Sequence, residues 1–158
     1  MSIRGAWARA ALVAALTLAA DQATKAIVRD DIAEGQRKDL LGFLDLVHLR
    51  NDGVAFGALA GGGPVVAIVV AGALAALLTY FAFNARRPLA WLPTGLLVGG
   101  AVGNIIDRIR LGAVTDFLKL PSWPAFNIAD AAITVGMVLL VVVVERGERA
   151  KHGAARGA

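Results

Sequence analysis

The chain has 158 residues, of which 58% are hydrophobic and 18% charged, with a net charge of +4. That is too apolar for an ordinary soluble domain, and the basic residues gather at the ends and in one short loop, so the charge reads as membrane topology and not as nucleic-acid binding. The absence of cysteine removes disulfides, thiol catalysis, thiolate metal sites and lipidation of this chain on cysteine.

Four apolar blocks follow one another, each close to the roughly 20 residues a helix needs to cross the hydrocarbon core. They cover residues 7–28, 64–83, 89–107 and 127–144. The first begins after Arg4 and Arg9 and resembles a cleaved signal peptide at first sight. Leu18 is unsuited to the small position before a cut, and the helical pattern runs on through Ala23, Ala26 and Val28, so a retained signal-anchor span is expected. Arg86 and Arg87 join the second and third blocks, and Arg146, Arg149, Lys151 and Arg156 follow the fourth. The positive-inside rule then places both termini and the Arg86-Arg87 loop in the cytoplasm. The expected fold class is an all-α membrane protein of four transmembrane helices with a small extracytoplasmic β element, in one domain over 1–158.

The outer segment 29–63 is polar over residues 30–39, and residues 43–50 partly alternate, as a half-buried strand does. Asn51-Asp52-Gly53 is a hairpin signal before Val54-Ala55-Phe56, and Gly61-Gly62-Gly63-Pro64 is a flexible stop. His48 is read as part of a polar loop, Asp116 as a residue of an outer loop, and the tail 147–158 as disordered.

With this topology the unusual polar residues fall on one side, at one depth. Asp21 and Lys25 are an i,i+4 pair in the first span, suited to shielding each other in the bilayer. Gly95, Gly99 and Gly103 are spaced by four and suit close helix packing. Asn104 and Arg108 share a face, where either a site or interhelical hydrogen bonding explains them. Asp107 points about 60° from that face and suits packing or pairing with loop backbone. Asn127 and Asp130 have the form of a capping box, N-cap and N3, where the helix dipole favours negative charge. Asp116 lies in apolar company between Val114 and Phe117. Two carboxylates at a membrane edge suggest acid–base chemistry with one protonated and one ionised. Other chemistries are poorly supplied. There are two serines, Ser2 and Ser122, without a Gly-x-Ser-x-Gly elbow, and neither His48 nor His152 has a metal-ligand partner at helical spacing. Neither a cofactor nor a metal is expected.

Five blocks in order resemble the lipoprotein signal peptidases (signal peptidase II). They are Asp21-Gln22-x-x-Lys25, Asn51-x-Gly53-x-Ala55-Phe56-Gly57, Gly99-Gly100-x-x-Gly103-Asn104-x-x-Asp107-Arg108, Gly112-x-Val114-x-Asp116-Phe117 and Phe126-Asn127-x-Ala129-Asp130. One block alone is a weak signal; five in order on four spans are a strong one. The resemblance implies an intramembrane aspartic endopeptidase of the bacterial inner membrane. Its substrates would be diacylglyceryl-modified prolipoproteins, cut just before the lipidated lipobox cysteine. Asp116 and Asp130 would be the catalytic dyad. Asn51, Gly53, Phe56, Asn104, Arg108 and Asn127 would line the substrate site, and Asp21 and Lys25, with Asp107, would support it. Membrane lipids and the inhibitor globomycin are further implied partners, and a monomer is expected. An ion-coupled transporter or channel would need polar residues at the midplane or on both sides. A structural subunit suits the glycine-rich third span but leaves the two carboxylates unexplained.

Overall fold

The computed structural model describes the backbone of residues 2–52 and 63–156 and the side chains of 2–52 and 68–149. Four helices carry the fold: α1 (Ile3–Asp31), α2 (Gly63–Asn84), α3 (Trp91–Leu111) and α4 (Ile128–Arg156). Between them run three short strands, β1 (Arg37–Asp39), β2 (Asp45–Asn51) and β3 (Val114–Lys119). By length and composition α1 and the stretch Ile128–Arg149 qualify as membrane spans, and Ile68–Asn84 is a shorter apolar helix. α3 is as long, but Asn104, Asp107, Arg108 and Arg110 crowd its last two turns, because that end belongs to a polar cluster.

α3 is the central helix and packs against α1 and α4 most extensively. Its glycines make this possible. A Cβ on Gly95 would stand 2.7 Å from the carbonyl oxygen of Ala10, and one on Gly99 2.6 Å from that of Ala14, so this edge presses backbone to backbone on α1. A Cβ on Gly100 would meet the carbonyl oxygen of Ala129 at 2.6 Å, so the neighbouring edge presses on α4. Small residues of this kind let helices approach closely where lipid offers no hydrophobic drive to pair them. At the opposite end from the polar cluster, Ala6, Ala10, Phe81, Ala85 and Ala90 form a buried apolar core, and Trp7 meets Phe81 edge to face with centroids 4.8 Å apart.

α3 stops at Gly112, whose φ of +76° is a left-handed cap that returns its N–H to the carbonyl of Arg108. The chain turns there directly into β3. The sheet order is β1-β2-β3, antiparallel throughout, with Asn51 opposite Val114 and Asp45 opposite Lys119 across β2 and β3. The sheet packs on the helices through Phe117, Leu46 and Leu118, clustered with Val28, Ile32 and Ile128. The β1–β2 turn, by contrast, exposes Leu40, Leu41 and Phe43.

Several expectations need correcting. Asp116 belongs to β3 and not to a loop, because Val114–Lys119 finds an edge on β2 to pair with. His48 is buried in β2, its Nδ1 2.7 Å from the carbonyl oxygen of Ile32. Helix α4 continues to Arg156, so most of the 147–158 tail is helical; Arg87 reaches Glu148 at 3.0 Å beside Gly147. Gly53, Phe56 and the strand expected after the Asn51-Asp52-Gly53 turn lie outside the described residues.

Candidate active site

The first turn of α4 sets the site. Asn127 is the N-cap: its Oδ1 accepts the N–H of Asp130 at 2.9 Å, while Asp130 Oδ2 accepts the N–H of Asn127 at 3.3 Å. This is a reciprocal capping box, and it fixes the Asp130 carboxyl against the start of the helix. The same Asn127 side chain turns its Nδ2 outward and donates to Asp116 Oδ1 at 2.7 Å. One fully buried amide therefore touches both aspartates. Asn51, at the end of β2, donates its Nδ2 to the other Asp116 oxygen at 2.9 Å. Asn104, on α3, donates to Asp130 Oδ1 at 2.8 Å.

Asp116 is 2% exposed. Burial pushes its carboxyl up from the ordinary 3.8 to about 6, against the hydrogen bond from Asn51, and the negative charge of Asp130 adds to the rise. Asp116 thus senses Asp130 as a neighbouring like charge. The two are reached from different sides. Asp116 lines a hollow of about 290 Å³ with Leu49, Arg50, Asn51, Asp52, Pro124 and Ala125. Asp130 lines one of about 270 Å³ with Trp123, Phe126, Ala131, Thr134 and Val135, against the exposed flank of α4. The segment 124–126 lies between them. A larger hollow of about 450 Å³, walled by apolar residues of α2, α3 and α4, holds none of this chemistry.

Beneath the carboxyls lies a buried ionic cluster. Lys25 is fully buried, with Nζ 2.8 Å from Asp21, 3.1 Å from Asp107 and 2.9 Å from Asn104 Oδ1. Asp107 accepts the backbone N–H of Thr115, so it pairs with backbone as its position on α3 suggests, but with that of strand β3 and not of a loop. Gly103 makes room for this arrangement: a Cβ there would lie 2.6 Å from Asp21 Oδ2. Arg108 bends back to its own helix, donating to the carbonyl of Asn104 at 3.3 Å, and is not in contact with either aspartate of the pair among the hydrogen bonds described.

Of the residues singled out from sequence, Asn51, Asn104, Asn127, Asp116 and Asp130 form one connected set, with Lys25, Asp21 and Asp107 behind it. Missed from sequence were Thr115 and Ala129, which act through their backbone, and Arg29, which donates to Thr115 Oγ1 at 3.3 Å. Their adjacency to the two aspartates was the available signal for Thr115 and Ala129.

The family model described as Signal peptidase (SPase) II matches residues 13–145. The lipoprotein signal peptidase of Moorella thermoacetica is 40% identical over 145 residues, covering 89% of this chain and 97% of its own. That of Geobacter metallireducens is 40% identical over 147 residues, covering 87% and 91%. A bacterial membrane enzyme whose structure was solved by the in meso method superposes with a TM-score of 0.80 at 33% identity, over 85% of this chain and 91% of that one.

Proposed function

This chain belongs to the signal peptidase II family, an aspartic-type membrane peptidase that cleaves the signal peptides of prolipoproteins, and we propose that Asp116 and Asp130 are its reacting pair. The observation that carries this reading is Asn127, a single buried residue that donates to both carboxyls, to Asp116 from its side-chain amide and to Asp130 from its backbone N–H. The substrate is a prolipoprotein whose lipobox cysteine already bears diacylglycerol, and the bond cut is the one before that cysteine.

Burial and the neighbouring charge of Asp130 favour the protonated form of Asp116, so Asp116 takes the proton-donor role in the pair. Asp130 accepts N–H bonds at both oxygens and serves as base. As a water oxygen attacks the scissile carbonyl carbon, Asp130 takes a proton from the water and Asp116 gives its proton to the carbonyl oxygen. The tetrahedral diol then collapses: the C–N bond breaks, the leaving nitrogen takes the proton from Asp130, and Asp116 recovers one from the new carboxyl group. The products are the signal peptide and a lipoprotein with a free amino group on its lipid-bearing cysteine. Asn51, Asn104, Asn127 and Arg108 hold substrate backbone, together with Gly53 and Phe56. The pair titrates as a unit.

The enzyme works as a monomer in the bacterial inner membrane, with both termini cytoplasmic and the site near the outer face, and globomycin occupies the substrate path. Purified protein in detergent should cleave a diacylglyceryl-modified precursor and leave the unlipidated precursor intact, with globomycin blocking the cut. Equal cleavage of both precursors would refute the substrate assignment. A reporter fused after Gly147 should behave as cytoplasmic and one fused near Glu34 as external; the reverse would put the pair on the wrong side.

A further inference from the structure

Thr115 and Ala129 are the residues immediately before Asp116 and Asp130. Both of their backbone N–H groups are taken by carboxylates from other helices. Thr115 donates to Asp107 Oδ2 at 3.1 Å, and Ala129 donates to Asp21 Oδ1 at 2.9 Å. Those two carboxylates, one on α3 and one on α1, share the single ammonium of Lys25 at 3.1 and 2.8 Å. Gln22 Nε2 closes the set by donating to Asp107 Oδ1 and Asp21 Oδ2. The ammonium also donates to Asn104 Oδ1, which leaves the Nδ2 of that amide facing Asp130.

We propose that Lys25 is a positioning residue for peptide cleavage: it ties Asp21 and Asp107 into a clasp that holds the backbone just before each reacting aspartate, and it fixes the amide of Asn104 as a donor to Asp130. The proposal rests on the assignment of Asp116 and Asp130 as the reacting pair.

Stability alone is a weak reason for this cluster. Lys25, Asp21 and Asp107 are at most 2% exposed at the side chain. Desolvating three charges costs several kcal/mol each, and apolar side chains of similar volume commonly serve folding as well or better. Direction is what apolar side chains cannot supply. Asp116 lies on a strand and Asp130 on a helix, and the segment 120–127 joins them. The packing of Phe117 and Ile128 beneath them is non-directional. Two charge-assisted hydrogen bonds tied to one cation set where each backbone lies, and so where each carboxyl sits relative to the other. The cation bears on the pair electrostatically too, since Lys25 favours the ionised form of Asp116 and works against its burial.

The experiment uses full-length protein in detergent with a lipidated precursor, measuring kcat, KM, folded fraction and the exchange of the Thr115 and Ala129 amide protons. Asp107→Ala and Asp21→Ala delete the gripping oxygen. Each is expected to lower kcat about 100-fold, the scale of a small misplacement of reacting groups, with KM nearly unchanged and the corresponding amide exchanging faster. Asp107→Asn and Asp21→Asn keep an acceptor in place and should restore kcat to within about tenfold of wild type. Lys25→Met alone strands two carboxylates and is expected to fold poorly. The double variant Lys25→Met/Asp107→Asn keeps the net charge of the cluster and both acceptor oxygens but loses the tie. It should fold, with kcat reduced at least about tenfold. A folded double variant with wild-type kcat, or folded alanine variants with wild-type kcat and unchanged exchange, overturns the proposal. If Asp116→Asn or Asp130→Asn turns over normally, it is the reading of the pair that has failed instead.

Discussion

The two ends of the helical bundle are held by different physics. At one end, Ala6, Ala10, Phe81, Ala85 and Ala90 bury against each other and the aromatic pair of Trp7 and Phe81 fills the gap. At the other, Lys25, Asp21, Asp107, Asn104 and Asn127 bury charge and amides in a continuous hydrogen-bonded set. The apolar end is worth energy per area and accepts many geometries. The polar end contributes little net energy and accepts one geometry, because each donor has a specific acceptor. Substitutions at the two ends should therefore fail in different ways, one through stability and the other through turnover.

The largest expected effect is at the polar end. Asp116→Asn and Asp130→Asn should each lower kcat by roughly 10,000-fold or more, because an amide neither takes a proton from water nor shares one, and the double variant should lose little beyond either single one. Turnover of a lipidated precursor, with protein level measured beside it, tests this. Loss of protein in place of loss of kcat would merge the two ends into one behaviour. Next comes the apolar end. Phe81 is fully buried, and Phe81→Ala should cost about 3–5 kcal/mol of stability, with kcat per folded molecule unchanged. Denaturation followed by activity counted per folded molecule checks it, and a drop in kcat would show that packing at this end reaches the site.

A smaller effect sharpens the electrostatic side. The Asp116 carboxyl should titrate near 6 by carbon-13 NMR. Asn51→Ala removes a bond to the carboxylate and should move that midpoint up; Asp130→Asn removes a like charge and should move it down. The sign for stability follows. The folded state holds the Asp116 proton more tightly than the unfolded chain, so the contribution of this group is fully present below about 3.8 and is lost as pH rises through about 6. Denaturation midpoints across this window should fall with rising pH in the wild type relative to Asp116→Asn. The smallest effect is expected at Glu148, whose partly exposed pair with Arg87 should cost less than about 1 kcal/mol when Glu148→Ala removes it. A larger loss in thermal unfolding would mean the apolar end also depends on directional contacts.

Much of this was legible in the sequence where a local rule applies. The capping box spans four residues, the glycine stripe repeats every four, and the Asp21–Lys25 pair is i,i+4, so helical geometry alone relates their members. The strand β3 was not legible: in six residues Val114–Lys119 carries no lasting alternation, and its partner β2 is some 65 residues away along the chain, as the Asn51–Asp116 bond is. Nor was the grip of Asp21 on the N–H of Ala129, since the two are 108 positions apart and the donor is a backbone group that no residue type marks. Which polar residues gather at one depth follows from span order; which atom meets which follows only from the fold.

The glycines of α3 have one more consequence, for how this chain can change over time. Gly95, Gly99 and Gly103 press on α1, and Gly100 on α4, each without room for a single methyl group. Gly72 on α2 has nothing within 4 Å of where its Cβ would be. A library of all single substitutions should thus show α3 as a ladder of forbidden rungs four residues apart, beside an α2 whose surface drifts freely among apolar residues. Among the described residues, the inheritable freedom of the protein lies on α2, the helix packed more lightly against α3.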